Sequence, residues 1–284
     1  MRRIFYYPVK YAIKGLVVKL KSAAEGLILN KLRTIPDYPN SAVVFKDAIS
    51  ITSSSTSQTF SELNIYLKNT PISISGENKN STHKNSNAQE FTLSLLKLLD
   101  YHGSDKGSYN GYHQIYGEVF SKLDYSKTTI IAEIGLGSKN PRIPSNMGKS
   151  GKPGASLRAW RDISEKVKVY GLDVDRDALF TEARIETFFH DQTSVEDWHL
   201  LRKVIKPQSV DVFIDDGLHT PSANLCFLNN AFEFVKPGGW LIIEDIPERA
   251  LPIWQLVIGQ PRLDLKFEMF KGSHSYVLVI KKKK

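Results

Sequence analysis

At 284 residues with 41% hydrophobic and 24% charged side chains, the chain can bury one large core, and its single cysteine, Cys226, excludes an internal disulfide framework or a cysteine-rich zinc site. The net charge of +8 belongs to the ends: residues 1–33 carry eight Lys/Arg against Glu25 alone and Lys281–Lys284 add four, whereas residues 34–280 hold 26 basic and 29 acidic side chains. A fold that grips a phosphate backbone carries its basic charge on the domain, so this distribution argues against nucleic acid as a partner.

Residues 9–32 read as a helix. At about 100° per residue, Ile13, Leu16, Leu20, Ala24 and Leu27 share one stripe with Lys10, Lys14 and Lys21 beside it, until Pro36 and Pro39 end the element. Charged residues interrupt every apolar run, which leaves no spanning helix and argues against a secretory signal, while the single cysteine suits a reducing cytoplasm. Such a helix either docks on its own protein or on a second copy, or lies peripherally on an anionic membrane. Short β-like pieces follow at Ala42–Phe45 and Ile49–Ile51, then a polar linker over 76–88. The division is a basic helical extension over 1–35, an irregular segment and linker over 36–88, and an α/β domain over 89–284.

That domain alternates strand and helix patterns, as a Rossmann-like, mostly parallel sheet with helices on both faces requires. Seven strands are predicted, starting at Thr128–Glu133, Val167–Asp173, Arg184–Phe189, Val210–Asp215 and Trp240–Glu244. Leu263–Phe270 and Ser275–Ile280 close the sheet as a pair. Glu133-Ile134-Gly135-Leu136-Gly137 ends the first strand where glycines allow a tight turn and close backbone approach to a ligand. Gly171-Leu172-Asp173 ends the second with a carboxylate placed for a ribose diol; Asp175 competes for that role, and either can cap the next helix. His190-Asp191-Gln192 offers polar groups for an adenine edge. The third glycine of a pyrophosphate cradle is missing, which favours S-adenosylmethionine over NAD.

The densest signal is Phe213-Ile214-Asp215-Asp216-Gly217-Leu218-His219. Adjacent carboxylates on a strand point to opposite sides, and His219 can return to the side of Asp216. With Glu244 and Asp245 ending the next strand, Asp216, Glu244 and Asp245 form an all-oxygen set suited to Mg²⁺ or Mn²⁺. A cation lowers the pKa of an acceptor hydroxyl, and His219 as general base takes its proton.

Taken together, these motifs with Gly103-Ser104-Asp105-Lys106-Gly107 and Gly154-Ala155-Ser156-Leu157-Arg158-Ala159-Trp160 make the stretch from Gly103 to Glu248 resemble a known family. It resembles the class I S-adenosylmethionine-dependent methyltransferases, particularly the metal-dependent sugar O-methyltransferases of the mycinamicin 2″-O-methyltransferase type. The resemblance implies cofactor contacts from Glu133, Gly135, Gly137, Asp173, Asp191 and Gln192, and metal ligation by Asp216, Glu244 and Asp245. It supports His219 as the base, and it lays Lys106, Tyr109, Tyr112 and His113 over the cofactor or a carbohydrate substrate. Two features depart from the family pattern: the long loop Ser138–Pro153, and Glu244 where an aspartate is common. The rivals are an NAD-dependent sugar oxidoreductase, a nucleic-acid methyltransferase and a non-catalytic glycan-binding protein on the same fold.

Overall fold

A computed structural model describes residues 25–28, 30–38, 45–67, 86–259 and 264–284. Of the amphipathic helix expected over 9–32, residues 9–24 lie outside the described residues, while 25–28 and 30–32 are helical. Most of the expected linker also lies outside them, and residues 86–88 open a helix instead.

The first long element corrects the sequence reading. Residues 45–67 form one helix, α1 (Phe45–Leu67), where a short strand was expected at Ile49–Ile51; of the other expected piece, Ala42–Phe45, residues 42–44 lie outside the described residues. Ala48, Thr52, Ser55, Thr59, Glu62 and Leu63 are buried at helical spacing. Thr52, Thr56 and Thr59 donate their hydroxyls to the carbonyls of Ala48, Thr52 and Ser55 at 2.7, 2.8 and 2.9 Å. The threonine hydroxyls of this face can thus be buried because each has a carbonyl partner within its own helix, and Thr59 also reaches Asp37.

The remaining helices are α2 (Ser86–His102), α3 (His113–Phe120), α4 (Ala155–Arg161), α5 (Val195–Leu201), α6 (Pro221–Ala231) and α7 (Leu251–Ile258). They enclose a sheet of β1 (Thr129–Ile134), β2 (Val167–Asp173), β3 (Thr181–Glu182), β4 (Ile185–Phe189), β5 (Val210–Asp215), β6 (Val235–Ile246), β7 (Leu265–Lys271) and β8 (Tyr276–Lys282). The strand order is β3-β4-β2-β1-β5-β6-β8-β7. The block from β4 to β6 is parallel, and β8 and β7 close it antiparallel, as expected. The eighth strand is the two-residue β3, an antiparallel edge piece on β4 that is too short to carry a period-2 signal. Among the described residues no helix is long and apolar enough to cross a membrane.

Side-chain alternation splits the core into two faces. Ala132, Phe213, Leu241, Ile243 and Leu278 pack with Trp198 of α5, Phe227 of α6, Trp254 of α7 and Leu63 of α1. Ile131, Val212, Ile242 and Val277 pack with Leu99 of α2, Tyr116 and Phe120 of α3 and Trp160 of α4. The same period aims the strand-end carboxylates. Glu133 and Glu244 fall on the face of α3 and α4, whereas Asp215 falls on the face of α6.

Candidate active site

Beyond the carboxyl ends of β1, β2, β4, β5 and β6 lies one cleft of about 620 Å³, where an open α/β sheet places its ligand. Gly135 brings its walls together: its φ is +94°, and a Cβ there would stand 2.0 Å from the carbonyl oxygen of Asp216. No side chain fits such a gap, so the glycine is demanded by the approach of the β1 and β5 loops.

One end is built from backbone. Asp173 lines the cleft, its Oδ2 accepting from the Leu136 amide and its Oδ1 from the Asp175 amide, both at 2.7 Å. Burial raises its pKa against these hydrogen bonds. Geometry separates Asp173 from Asp175. Asp175 caps the 3₁₀ turn 176–178 and accepts from the Ser138 hydroxyl, while Asp173 faces the cleft. His190 lines the same end; it is buried edge-on against Trp198, its Nε2 has no partner among the described residues, and burial lowers its pKa to about 4. Gln192 also lines the cleft, yet its carboxamide is engaged, donating to Asp215 at 3.1 Å and accepting from the Leu218 amide at 2.9 Å.

The other end is built from charge. Lys106, 1% exposed, places its ammonium on Asp216 and on Glu244 Oε2 at 2.8 Å, with Glu133 Oε1 at 3.7 Å. Glu244 Oε1 accepts from the Tyr116 hydroxyl, and Glu133 accepts from Ser156 at 2.7 Å and from the Trp160 indole. One lysine thus faces three carboxylates. Burial, opposed by Lys106, raises the pKa of Glu133 and of Asp216, and that of Glu244 to about 8. Asp245 stands apart: burial opposes its ionisation, but His219, Tyr112 and Ser275 outweigh that and its pKa is lowered.

Asp216, His219 and Asp245 can bring one ligand atom each to within 4.8 Å of one another. His219 Nε2 lies 3.8 Å from Asp216 Oδ1 and 3.7 Å from Asp245 Oδ2, while its buried Nδ1 has no partner among the described residues. His219 and Asp245 both hold left-handed backbone, φ 56° and 53°, a cost of order 1–3 kcal/mol each that the surroundings must sustain. Asp245 sits in the register shift of β6 against β8 between Ile243 and Ile246, and such irregularities re-aim a side chain. Thr220 caps α6 immediately after His219 and so pins the turn that carries the imidazole.

The sequence matches no family model. Over 161 residues it is 29% identical to the 8-demethyl-8-alpha-L-rhamnosyl tetracenomycin-C 2′-O-methyltransferase of Streptomyces olivaceus, covering 57% of this chain and 40% of that one. It is 31% identical over 125 residues to the mycinamicin VI 2″-O-methyltransferase of Micromonospora griseorubida, covering 43% and 29%. The solved structure of the MycE methyltransferase from the mycinamycin pathway, in complex with Mg, SAH and mycinamycin VI, superposes with a TM-score of 0.54 at 21% identity. That match covers 67% of this chain and 54% of that one. The chain has the class I methyltransferase fold. It is similar to sugar O-methyltransferases and spans less than half the length of these two curated relatives.

On this methyltransferase fold the predicted site residues divide. Gly135, Gly137, Asp173, Asp191, Gln192, Lys106, Asp216, His219 and Asp245 line the cleft. Glu133 and Glu244 lie behind its wall, turned onto Lys106 by strand alternation rather than toward the Asp216–His219–Asp245 group. Asp215 is fully buried, accepting from Asn224 at 2.9 Å. Tyr112 reaches Asp245 Oδ1 at 2.6 Å from behind, the His113 imidazole rests 3.1 Å from the Gly107 carbonyl, and Tyr109 is exposed. Sequence reasoning missed Ser275, which donates to Asp245 at 2.7 Å, and Tyr116, which closes Glu244. Neither lies in a motif; a serine in a hairpin turn and a tyrosine in a short helix carry no local mark of such contacts.

Proposed function

We propose that the chain moves a methyl group from S-adenosylmethionine to a sugar hydroxyl of a glycan, glycolipid or glycosylated natural product. The observation that carries this reading is the placement in one cleft of Asp173, at the end of β2, and the Asp216–His219–Asp245 group, at the ends of β5 and β6 across β1. A nucleoside cofactor suits the first end, where the Asp173 carboxylate is presented to the cleft by two backbone amides and the Gly135 turn leaves the approach open. The relatives' names and the MycE complex support the sugar acceptor over the oxidoreductase and the binding protein.

The donor set fits a hard divalent cation. Asp216 and Asp245 offer cleft-facing oxygens, and three carboxylates share the single ammonium of Lys106, so negative charge exceeds positive around it. Asp216 and Asp245 would hold Mg²⁺ or Mn²⁺, which when bound supplies Lewis acidity toward the acceptor hydroxyl. The hydroxyl gives its proton to Nε2 of His219; its oxygen forms the new bond to the methyl carbon as the carbon–sulfur bond breaks. Asp216 and Asp245 flank the imidazole and stabilise the positive charge it gains. Glu244 and Glu133 act indirectly, holding Lys106 and through it the orientation of Asp216.

Calorimetry tests the reading. S-adenosylmethionine and Mn²⁺ should each bind, NAD should not, and methyl transfer to sugar acceptors should stop in EDTA and return with Mg²⁺. Binding of NAD in place of S-adenosylmethionine, or full turnover in chelator, overturns it.

We also propose that residues 1–33 touch an anionic membrane peripherally at the cytoplasmic face. Their eight basic residues support this, since each near such a surface contributes about 1 kcal/mol. Phosphatidylglycerol vesicles should sediment the full chain at low salt and release it at high salt. Indifference to vesicles at low salt makes this segment a docking or assembly element.

A further inference from the structure

Two exposed rings stand together on the two segments whose Tyr112 and Ser275 reach Asp245, a residue of the cleft lining. Tyr109 is 69% exposed, and its ring centroid lies 5.2 Å from that of His274, also exposed, at a tilt of 40°. They come from segments more than 160 residues apart in the chain, the loop before α3 and the turn between β7 and β8. Neither is a core residue, and neither belongs to the lining of the cleft proper.

The two segments are bound to each other and to Asp245. Ser273 gives both its amide and its hydroxyl to the Asn110 carbonyl, at 3.2 and 3.1 Å. Gly272 lies so close to the Tyr112 ring that a Cβ would stand 2.4 Å from Cε1. Tyr112 and Ser275 then converge on Asp245 Oδ1 at 2.6 and 2.7 Å, leaving Oδ2 toward His219. The ring pair and the reacting end are therefore parts of one hydrogen-bonded unit, with the cofactor end of the cleft elsewhere.

We propose that Tyr109 and His274 form a stacking subsite for the ring attached to the sugar being methylated, either a second sugar or an aglycone. This rests on the sugar methyltransferase reading above. The chemistry suits such a partner. The apolar face of a pyranose or an aglycone ring packs on an aromatic surface, while a phenol and an imidazole offer hydrogen bonds to peripheral hydroxyls. An apolar peptide or a lipid tail would leave both polar tips unused. Because two segments build the platform, its spacing is set by the Ser273–Asn110 clasp and it can select for the ring beyond the reacting one.

Saturation-transfer NMR on the full chain with S-adenosylmethionine and Mg²⁺ tests this, using p-nitrophenyl and methyl glycosides of rhamnose, glucose and galactose. In the wild type the nitrophenyl ring of a bound glycoside should be saturated, and it should bind about two- to tenfold more tightly than the matching methyl glycoside. Tyr109→Ala with His274→Ala should abolish both the ring signal and the preference, Tyr109→Trp should retain them, and S-adenosylmethionine affinity by calorimetry should be unchanged throughout. An undiminished ring signal in the double variant, or a wild type that saturates sugar protons but not the ring, overturns the subsite. Saturation of the ring without the sugar leaves the platform standing and overturns the carbohydrate reading. Absence of any glycoside signal overturns both.

Discussion

At the Asp173 end of the cleft backbone amides hold the side chain, whereas at the Asp245 end side chains from distant segments hold one another. Asp173 depends on Leu136 and Asp175 only through their amides, so almost any residue there would serve. Asp216, Glu244 and Glu133 depend on the ammonium of Lys106, and Asp245 on the hydroxyls of Tyr112 and Ser275. A backbone-held site is insulated from substitution nearby. A charge-held site transmits every change of charge to all its members, because in a poorly hydrated pocket no water replaces a lost partner.

The largest expected effect separates chemistry from binding. His219→Ala should slow methyl transfer by about 10²–10⁴-fold, the range for a lost general base, while S-adenosylmethionine affinity at the far end stays as in the wild type. Single-turnover kinetics and calorimetry read the two, and unchanged turnover removes His219 from the proton path. Next comes the charge cluster. Lys106→Met should cost about 3–5 kcal/mol in urea unfolding, because it strands buried carboxylates. Glu244→Gln in the same chain should recover part of that loss. Additive losses would show that the two do not form a working pair.

A crossed pair of substitutions addresses the division directly. Asp173→Asn should weaken S-adenosylmethionine by about 10–100-fold, the worth of charged hydrogen bonds, and leave Mn²⁺ binding intact. Asp216→Asn should do the reverse, with calorimetry as the measure. Loss of both ligands in either variant would mean that the ends are one coupled unit. The smallest effect is in pH. Glu244 has its pKa raised from an ordinary 4.5 to about 8, so the folded state holds a proton that the unfolded state releases. That stability is complete below pH 4.5 and is lost as pH rises through 8, so the melting temperature should fall by a few degrees across this window. Glu244→Gln should flatten the slope, and an identical slope in that variant assigns the titration elsewhere.

Much of this was legible in the sequence because its signals are local. Period-2 apolar runs ending in Gly135, Asp173 and the Asp215–Asp216 pair mark strands whose carboxyl ends meet at one edge, and the cleft lies there. The opposition of Asp215 and Asp216 also follows from the pleat, and the buried contact of Asp215 with Asn224 agrees with it. Three readings depended on more than local pattern. Ile49–Ile51 looked β-like because isoleucine favours strands when read singly, yet it is helical. Glu244 was read as a metal ligand beside Asp216 and Asp245, yet alternation turns it to Tyr116 and Lys106. Asp175 and Asp173 were indistinguishable until their hydrogen bonds were in place.

By itself, then, the sequence determined the parallel sheet, the glycine turn at Gly135 and the chemical kinds of group at each strand end. These follow from side-chain periodicity and backbone sterics acting over a few residues. Only the tertiary structure decided which carboxylates share Lys106, which one is left to face His219, and that Ser275 and Tyr112 converge on Asp245. Those choices are made by partners far apart in the chain, and a buried charge takes whatever partner packing brings within hydrogen-bond reach, since leaving it without one would cost several kcal/mol.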